Sequence, residues 1–181
     1  MDQQTRGIMI GLKRLKDMVI QQQLVENLHA KELEKKGAPA FDIRLGALFN
    51  FVGEGFLDVD EKKTPETRII GEYEEGASKR VVIEPGKYYV FQTIESVNMP
   101  VGVSFQMIPR TTVFRSGILI LGGLGDPGYK GKITGGIINL SDRNYTIELG
   151  ARIAQLVFFN LDGHDGEEYL GNYHGGKVGS G

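Results

Sequence analysis

The 181-residue chain contains no cysteine. Disulfides, thiolate zinc sites and thiol nucleophiles are therefore excluded, and sulfur carries none of its chemistry. Histidine is scarce too: His29, His164 and His174 lack the close helical spacing of a metal-binding pair and read as surface or loop residues. No apolar run approaches the roughly 18 residues needed to span a bilayer, and the N-terminus mixes Asp2, Arg6, Lys13, Arg14 and Lys16 with short apolar pieces. The chain reads as soluble and cytoplasmic, with no membrane contact. A formal charge of -2 gives no overall attraction to polyanions. Nucleic acid is thereby disfavoured as a partner, while a local cluster of Arg and Lys remains able to bind a small phosphate ligand.

What is plentiful is glycine, at 26 residues about twice the usual share of roughly 7%. Many tight turns follow. Apolar residues at 40% and charged residues at 24% are ordinary for a globular chain, and a domain of this length buries roughly 70% of its unfolded surface. One core is expected. From Ile10 to Lys36, apolar residues recur at helical spacing among Lys, Gln and Glu, with Gly37 and Pro39 as stop signals: one amphipathic helix or two short ones, packing on the domain or on a neighbouring subunit. Beyond Pro39 the texture changes to short β-prone runs, "FDIRLGALFNF", "TRIIGEY", "RVVIEPGKYYVFQTI", "VGVSFQMI", "SGILIL", "GKITGGIINL", "NYTIEL" and "ARIAQLVFFNL". Strands at short intervals without intervening helices imply an all-β sandwich, jelly roll or barrel. Residues 53–68 are charged and poor in apolar side chains and read as a surface loop. The division expected is an N-terminal helical segment (1–37), a β domain (38–170) and a glycine-rich C-terminal tail (171–181), either disordered or a flap that orders over something.

Three segments and the tail carry candidate chemistry. "PRTTVFRSG" places Arg110, Thr111, Thr112, Arg115 and Ser116 together, all donors to phosphate oxygens if they are not simply solvated. "GLGDPGYKG" puts Asp126 before a Pro-Gly pair suited to a type II turn, where the carboxylate either caps its own backbone or holds a water for attack. Tyr129 follows, with a flat face on which a sugar ring can pack. "GARIAQLVFF" is almost wholly apolar apart from Arg152 and Gln155, so a buried Gln155 requires a partner, protein or ligand. In the tail, Gly171, Gly176 and Lys177 satisfy the spacing of a phosphate loop, but Val178 stands where a magnesium-holding Ser or Thr is required and too few residues follow for a helix. Lys177 and the tail's amides remain able to close over a polyphosphate.

In their order these segments resemble the dUTPase and dCTP deaminase superfamily over roughly residues 39–181. "APAFDIRLG", with Asp42 and Arg44, is similar to the first motif. "PRTTVFRSGI", "GLGDPGYKGKI", "GARIAQLVFF" and "GNYHGGKVGSG" are similar to the second to fifth. The resemblance implies a distorted jelly roll, or β-barrel, assembled as a homotrimer with active sites at subunit interfaces and the tail closing each one. Deaminases of this family shuttle the proton with a glutamate on the strand after the third motif, at the tenth residue beyond the aspartate. That position here is Gly136, beside Gly135, and the acid is absent. The resemblance therefore implies a dUTP diphosphatase with Asp126 as the catalytic carboxylate. Arg110, Thr111, Thr112 and Arg115 would bind phosphates or brace Asp126, and Gln155 would hydrogen-bond near the triphosphate. Tyr129 would lie under the deoxyribose, main-chain groups of residues 121–125 would read uracil, and Tyr173 and Lys177 would act from the tail. Magnesium would be held through the phosphates of deoxyuridine triphosphate. A zinc-independent dCTP deaminase with a displaced acid, or a non-catalytic nucleotide sensor, are the alternatives.

Overall fold

A computed structural model of the chain describes residues 9–163 together with residues 175, 176 and 178. In chain order the elements are α1 (Leu12–Gln22), β1 (Val25–Glu26), α2 (Ala30–Glu34), β2 (Ala40–Val52), β3 (Phe56–Leu57), β4 (Lys62–Lys63), β5 (Glu66–Glu72), β6 (Arg80–Ile83) and β7 (Tyr88–Asn98). There follow β8 (Val103–Pro109), α3 (Thr111–Arg115), β9 (Ile118–Leu121), β10 (Leu124–Gly125), β11 (Lys130–Asn139), β12 (Tyr145–Glu148) and β13 (Arg152–Asn160). Every β-prone run read from the sequence contains a strand, and "RVVIEPGKYYVFQTI" contains two, β6 and β7. The N-terminal periodicity resolves into two short helices, separated by β1, which the sequence pattern did not reveal. Residues 53–68 are largely exposed, as a surface loop would be, yet they carry the β3–β4 hairpin.

One sheet runs in the order β10-β8-β13-β2-β7-β11-β9, with β1 attached to β7 and β5 to β2. Its pairings are antiparallel, as expected for strands joined by short turns. It is the curled sheet of a distorted jelly roll, all-β apart from the helical start. The long β2 makes the curl. Its first part pairs with β13 and its later part with β7 and β5, and the register shifts between Leu45 and Ala47 and again between Leu48 and Phe49. Such irregularities bend a strand and increase its twist.

Alternation along the strands fills the interior. On β7, Tyr89, Phe91, Thr93 and Glu95 are buried while the residues between them are partly exposed. Phe41, Phe105 and Phe158 meet at the centre, with Phe158 edge-on to Phe41 at a centroid distance of 6.4 Å. The helices belong to this core, since Ile10, Leu15, Met18 and Leu24 lie in the same buried cluster as the sheet residues. The opposite face of β5, β2, β7, β11 and β9 is apolar as well. Register places Ile69, Phe49, Val90, Gly136 and Leu121 in one cross-strand row, and Tyr88, Ile138 and Leu119 in the next. Ile69 is 49% exposed and Leu121 45%. A sheet face of this composition is normally covered.

Candidate active site

Asp126 sits where the sequence places it, on a turn between β10 and β11. The amide of Tyr129 donates to the Asp126 carbonyl at 3.2 Å, and Gly128 has φ +78°. These are the closing bond and the positive-φ third position of a type II turn, with Pro127 fixing the second. The turn is tied to the chain beneath it, because the amide of Met99 donates to the Tyr129 carbonyl at 2.9 Å and that of Gly128 to the Met99 carbonyl at 3.2 Å. Asp126 and Tyr129 then line one cleft of about 340 Å³ with Phe105, Gly123, Leu124 and Thr134. The backbone of residues 123–125 forms one wall, and Phe105, packed under Gly125, is a floor that sequence reading did not identify. The Tyr129 hydroxyl donates to the Lys132 carbonyl at 2.6 Å, which fixes the ring plane.

Arg110 and Thr112 line a different cavity, of about 350 Å³, with Tyr145, Glu148 and Arg152. No residue is shared between the two linings. Thr111 and Arg115 are exposed on α3, a short helix. Ser116 donates its hydroxyl to the Thr112 carbonyl at 2.8 Å and so serves the end of that helix.

Behind Arg110 lies an ionic cluster around Asp42, which is 3% exposed. One Asp42 oxygen accepts from Gln155 Nε2 at 2.7 Å and Lys35 Nζ at 3.2 Å. The other faces Arg110 Nε at 3.2 Å and Arg152 Nη1 at 3.3 Å. Gln155 thus has a protein partner, and it bears on Arg110 through Asp42. Glu32 completes the cluster: it is 1% exposed, accepts from the Asp42 amide at 2.8 Å and from Lys35 at 3.2 Å, and pairs with Arg152 at 3.3 Å. Two buried carboxylates face three cations in this cluster, and Glu148 lines the cavity beside Arg110 and Arg152. Arg152 had a sequence signal, as a charge in an apolar strand. Glu32 had none, since "AKELEKKG" looks uniformly solvated.

A second buried pair braces β2 against β7. Glu95 is fully buried, and it accepts from Arg44 Nε at 2.6 Å and from the Arg44 amide at 2.8 Å. Burial pushes its carboxyl above the ordinary carboxylate value, against the pull of Arg44.

Gly136 lies on β11 opposite Val90 and Leu121. A Cβ added there would fall 2.0 Å from the Tyr88 hydroxyl oxygen. Tyr88 in turn stacks on Phe51 at 5.7 Å. The place of the missing acid is therefore filled by an aromatic pair. Tyr173 and Lys177 lie outside the described residues, as do His164 and His174. Among the described residues there is no group of three or more His, Cys, Asp or Glu able to hold a metal, and no helix is long and apolar enough to cross a membrane.

A family model described as dCTP deaminase-like matches residues 11–161, and the chain belongs to that family. Among its relatives is a protein of Methanopyrus kandleri named "Probable deoxyuridine 5'-triphosphate nucleotidohydrolase", 32% identical over 158 residues, which are 86% of this chain and 99% of that protein. Another is the "dCTP deaminase, dUMP-forming" of Aquifex aeolicus, 35% identical over 140 residues, covering 76% of this chain and 74% of that one. Among solved structures, the 2'-deoxycytidine 5'-triphosphate deaminase of Agrobacterium tumefaciens superposes with a TM-score of 0.63 at 18% identity. That match covers 84% of this chain and 48% of the deaminase chain, so this chain spans about half of its length, and the likeness is one of fold.

Proposed function

We propose that the protein is a dUTP diphosphatase that converts dUTP to dUMP and pyrophosphate. The observation that carries the reading is the pairing of Asp126, presented into a cleft by a rigid turn, with Gly136, which leaves the neighbouring strand face without an acid. The Asp126 carboxylate accepts a hydrogen bond from a water and takes its proton as the oxygen attacks the α-phosphorus. The new P–O bond forms as the bridging bond to the β-phosphate breaks, and pyrophosphate leaves. A positioned base of this kind is typically worth 10²–10⁴-fold. Tyr129 packs under the deoxyribose, and main-chain groups of residues 121–125, of which 123–125 line the cleft, read the uracil edge.

Arg110, Thr112, Thr111 and Arg115 would meet the triphosphate from a neighbouring copy. Their cavity is distinct from the Asp126 cleft on one chain, and the apolar outer face next to Thr134 is a surface suited to self-association. The reading is thus of a homotrimer with sites between subunits, each Arg110 held in place by Asp42 and Gln155. Tyr173 and Lys177 are assigned to the tail that covers the bound nucleotide. Magnesium would be held through the phosphate oxygens of the bound triphosphate rather than by protein side chains, and would there offset charge developing on the leaving group.

Purified protein incubated with dUTP and with dCTP, followed for pyrophosphate and ammonia, tests this. Pyrophosphate from dUTP and no ammonia from dCTP is expected. Ammonia from dCTP would establish the deaminase alternative, and tight dUTP binding without turnover the sensor.

A further inference from the structure

We propose that Gln92 is a positioning residue for this site, anchoring the C-terminal segment to β11 of the same chain. The inference rests on the hydrolase reading. β7 presents Gln92 on the outer face of the sheet, opposite Thr134, which lines the Asp126 cleft. Its Nε2 donates to the carbonyl of Gly176 at 2.7 Å. One residue earlier the amide of Gly175 donates to the Lys130 carbonyl at 2.8 Å, and Gly175 pairs in parallel with Gly131. Lys130 and Gly131 come directly after Tyr129, so these bonds fasten the segment at the exit of the turn that carries Asp126.

The contact is made backbone to backbone. A Cβ on Gly131, whose φ is +141°, would lie 2.5 Å from the carbonyl carbon of Gly175. One on Gly176 would lie 2.5 Å from the Lys132 carbonyl oxygen. Only glycines allow this approach. Among the described residues the side-chain bond to this segment comes from Gln92, and a bond of this kind shifts a docking equilibrium by roughly two- to tenfold. Gln92 has no role in the motifs, where "VFQTIE" reads as an ordinary strand.

Gln92→Glu keeps the side chain's shape and turns its donor into a carboxylate facing a carbonyl oxygen. Gln92→Met removes the donor without adding charge. In the full-length protein, hydrogen exchange of the peptide containing Gly175 and Gly176 is expected to quicken in both variants while the melting temperature holds. KM for dUTP is expected to rise by roughly five- to tenfold in Gln92→Glu with kcat within about twofold of wild type. In a Gly176→Ala background, where the segment is already displaced by the clash with Lys132, Gln92→Glu should change KM no further. Unchanged exchange, or a KM increase that persists in full in the Gly176→Ala background, would overturn the assignment. Faster exchange in a protein that leaves dUTP intact would support the anchor and overturn the hydrolase reading.

Discussion

Asp126 is held by backbone bonds around it, so its charge can be removed with little effect on the turn. Asp126→Asn is expected to retain the fold and dUTP affinity while lowering kcat by about 10²-fold or more, as loss of a general base does. Steady-state kinetics beside nucleotide titration checks this, and near wild-type turnover would remove Asp126 from the mechanism. Gly136 presents the opposite case, because its surroundings resist change. A glutamate there meets the Tyr88 ring and the Phe51 stack behind it. Gly136→Glu is expected to lower stability by about 1–3 kcal/mol, as overpacking does, and to yield no more than a trace of ammonia from dCTP. Adding Tyr88→Ala opens the space, so the double variant should melt higher than Gly136→Glu alone. If it does not, Tyr88 is not what excludes a side chain at this position.

At the scale of elements, α2 is short, and its one fully buried side chain is a carboxylate. Glu32 reaches the Asp42 amide and Arg152, and so couples this helix to β2 and β13. Removing one member of a buried ion cluster leaves its partners uncompensated and costs about 3–5 kcal/mol. Glu32→Ala should approach that figure in a denaturant titration, whereas Glu34→Ala, exposed on the same helix, should stay within about 0.5 kcal/mol. Equal effects would mean that Glu32 is not an anchor. The cluster also explains why Gln155 and Arg110, far apart in sequence, act as a unit: both bind Asp42.

At the scale of the whole molecule, the separation of the Asp126 cleft from the Arg110 cavity predicts complementation. In a trimer with sites between subunits, Asp126→Asn protein and Arg110→Ala protein are each expected to be strongly impaired. Mixed trimers, formed by co-expression, contain some sites with an intact Asp126 from one subunit and an intact Arg110 from another. A recovery of up to roughly a quarter of wild-type activity is expected, on random mixing of subunits with closed symmetry. No recovery in trimers verified as mixed by mass spectrometry would place both residues of a site on one chain.

The succession of β-prone runs along the chain, the type II turn at Asp126 and the absence of an acid at Gly136 follow from the sequence alone, because each rests on local chemistry. Alternation specifies a strand, Pro127 and Gly128 specify a turn, and a glycine supplies no carboxylate whatever surrounds it. The pairing of residues distant in the chain does not follow from the sequence. That Gln155 is spent on Asp42, that Glu32 is buried while its neighbours are solvated, and that Phe105 floors the cleft depend on which strands the curl of β2 brings together. Tyr88 over Gly136 and Gln92 on Gly176 have the same origin: each is one half of a contact whose other half lies on a different strand or segment, so only the tertiary structure assigns it.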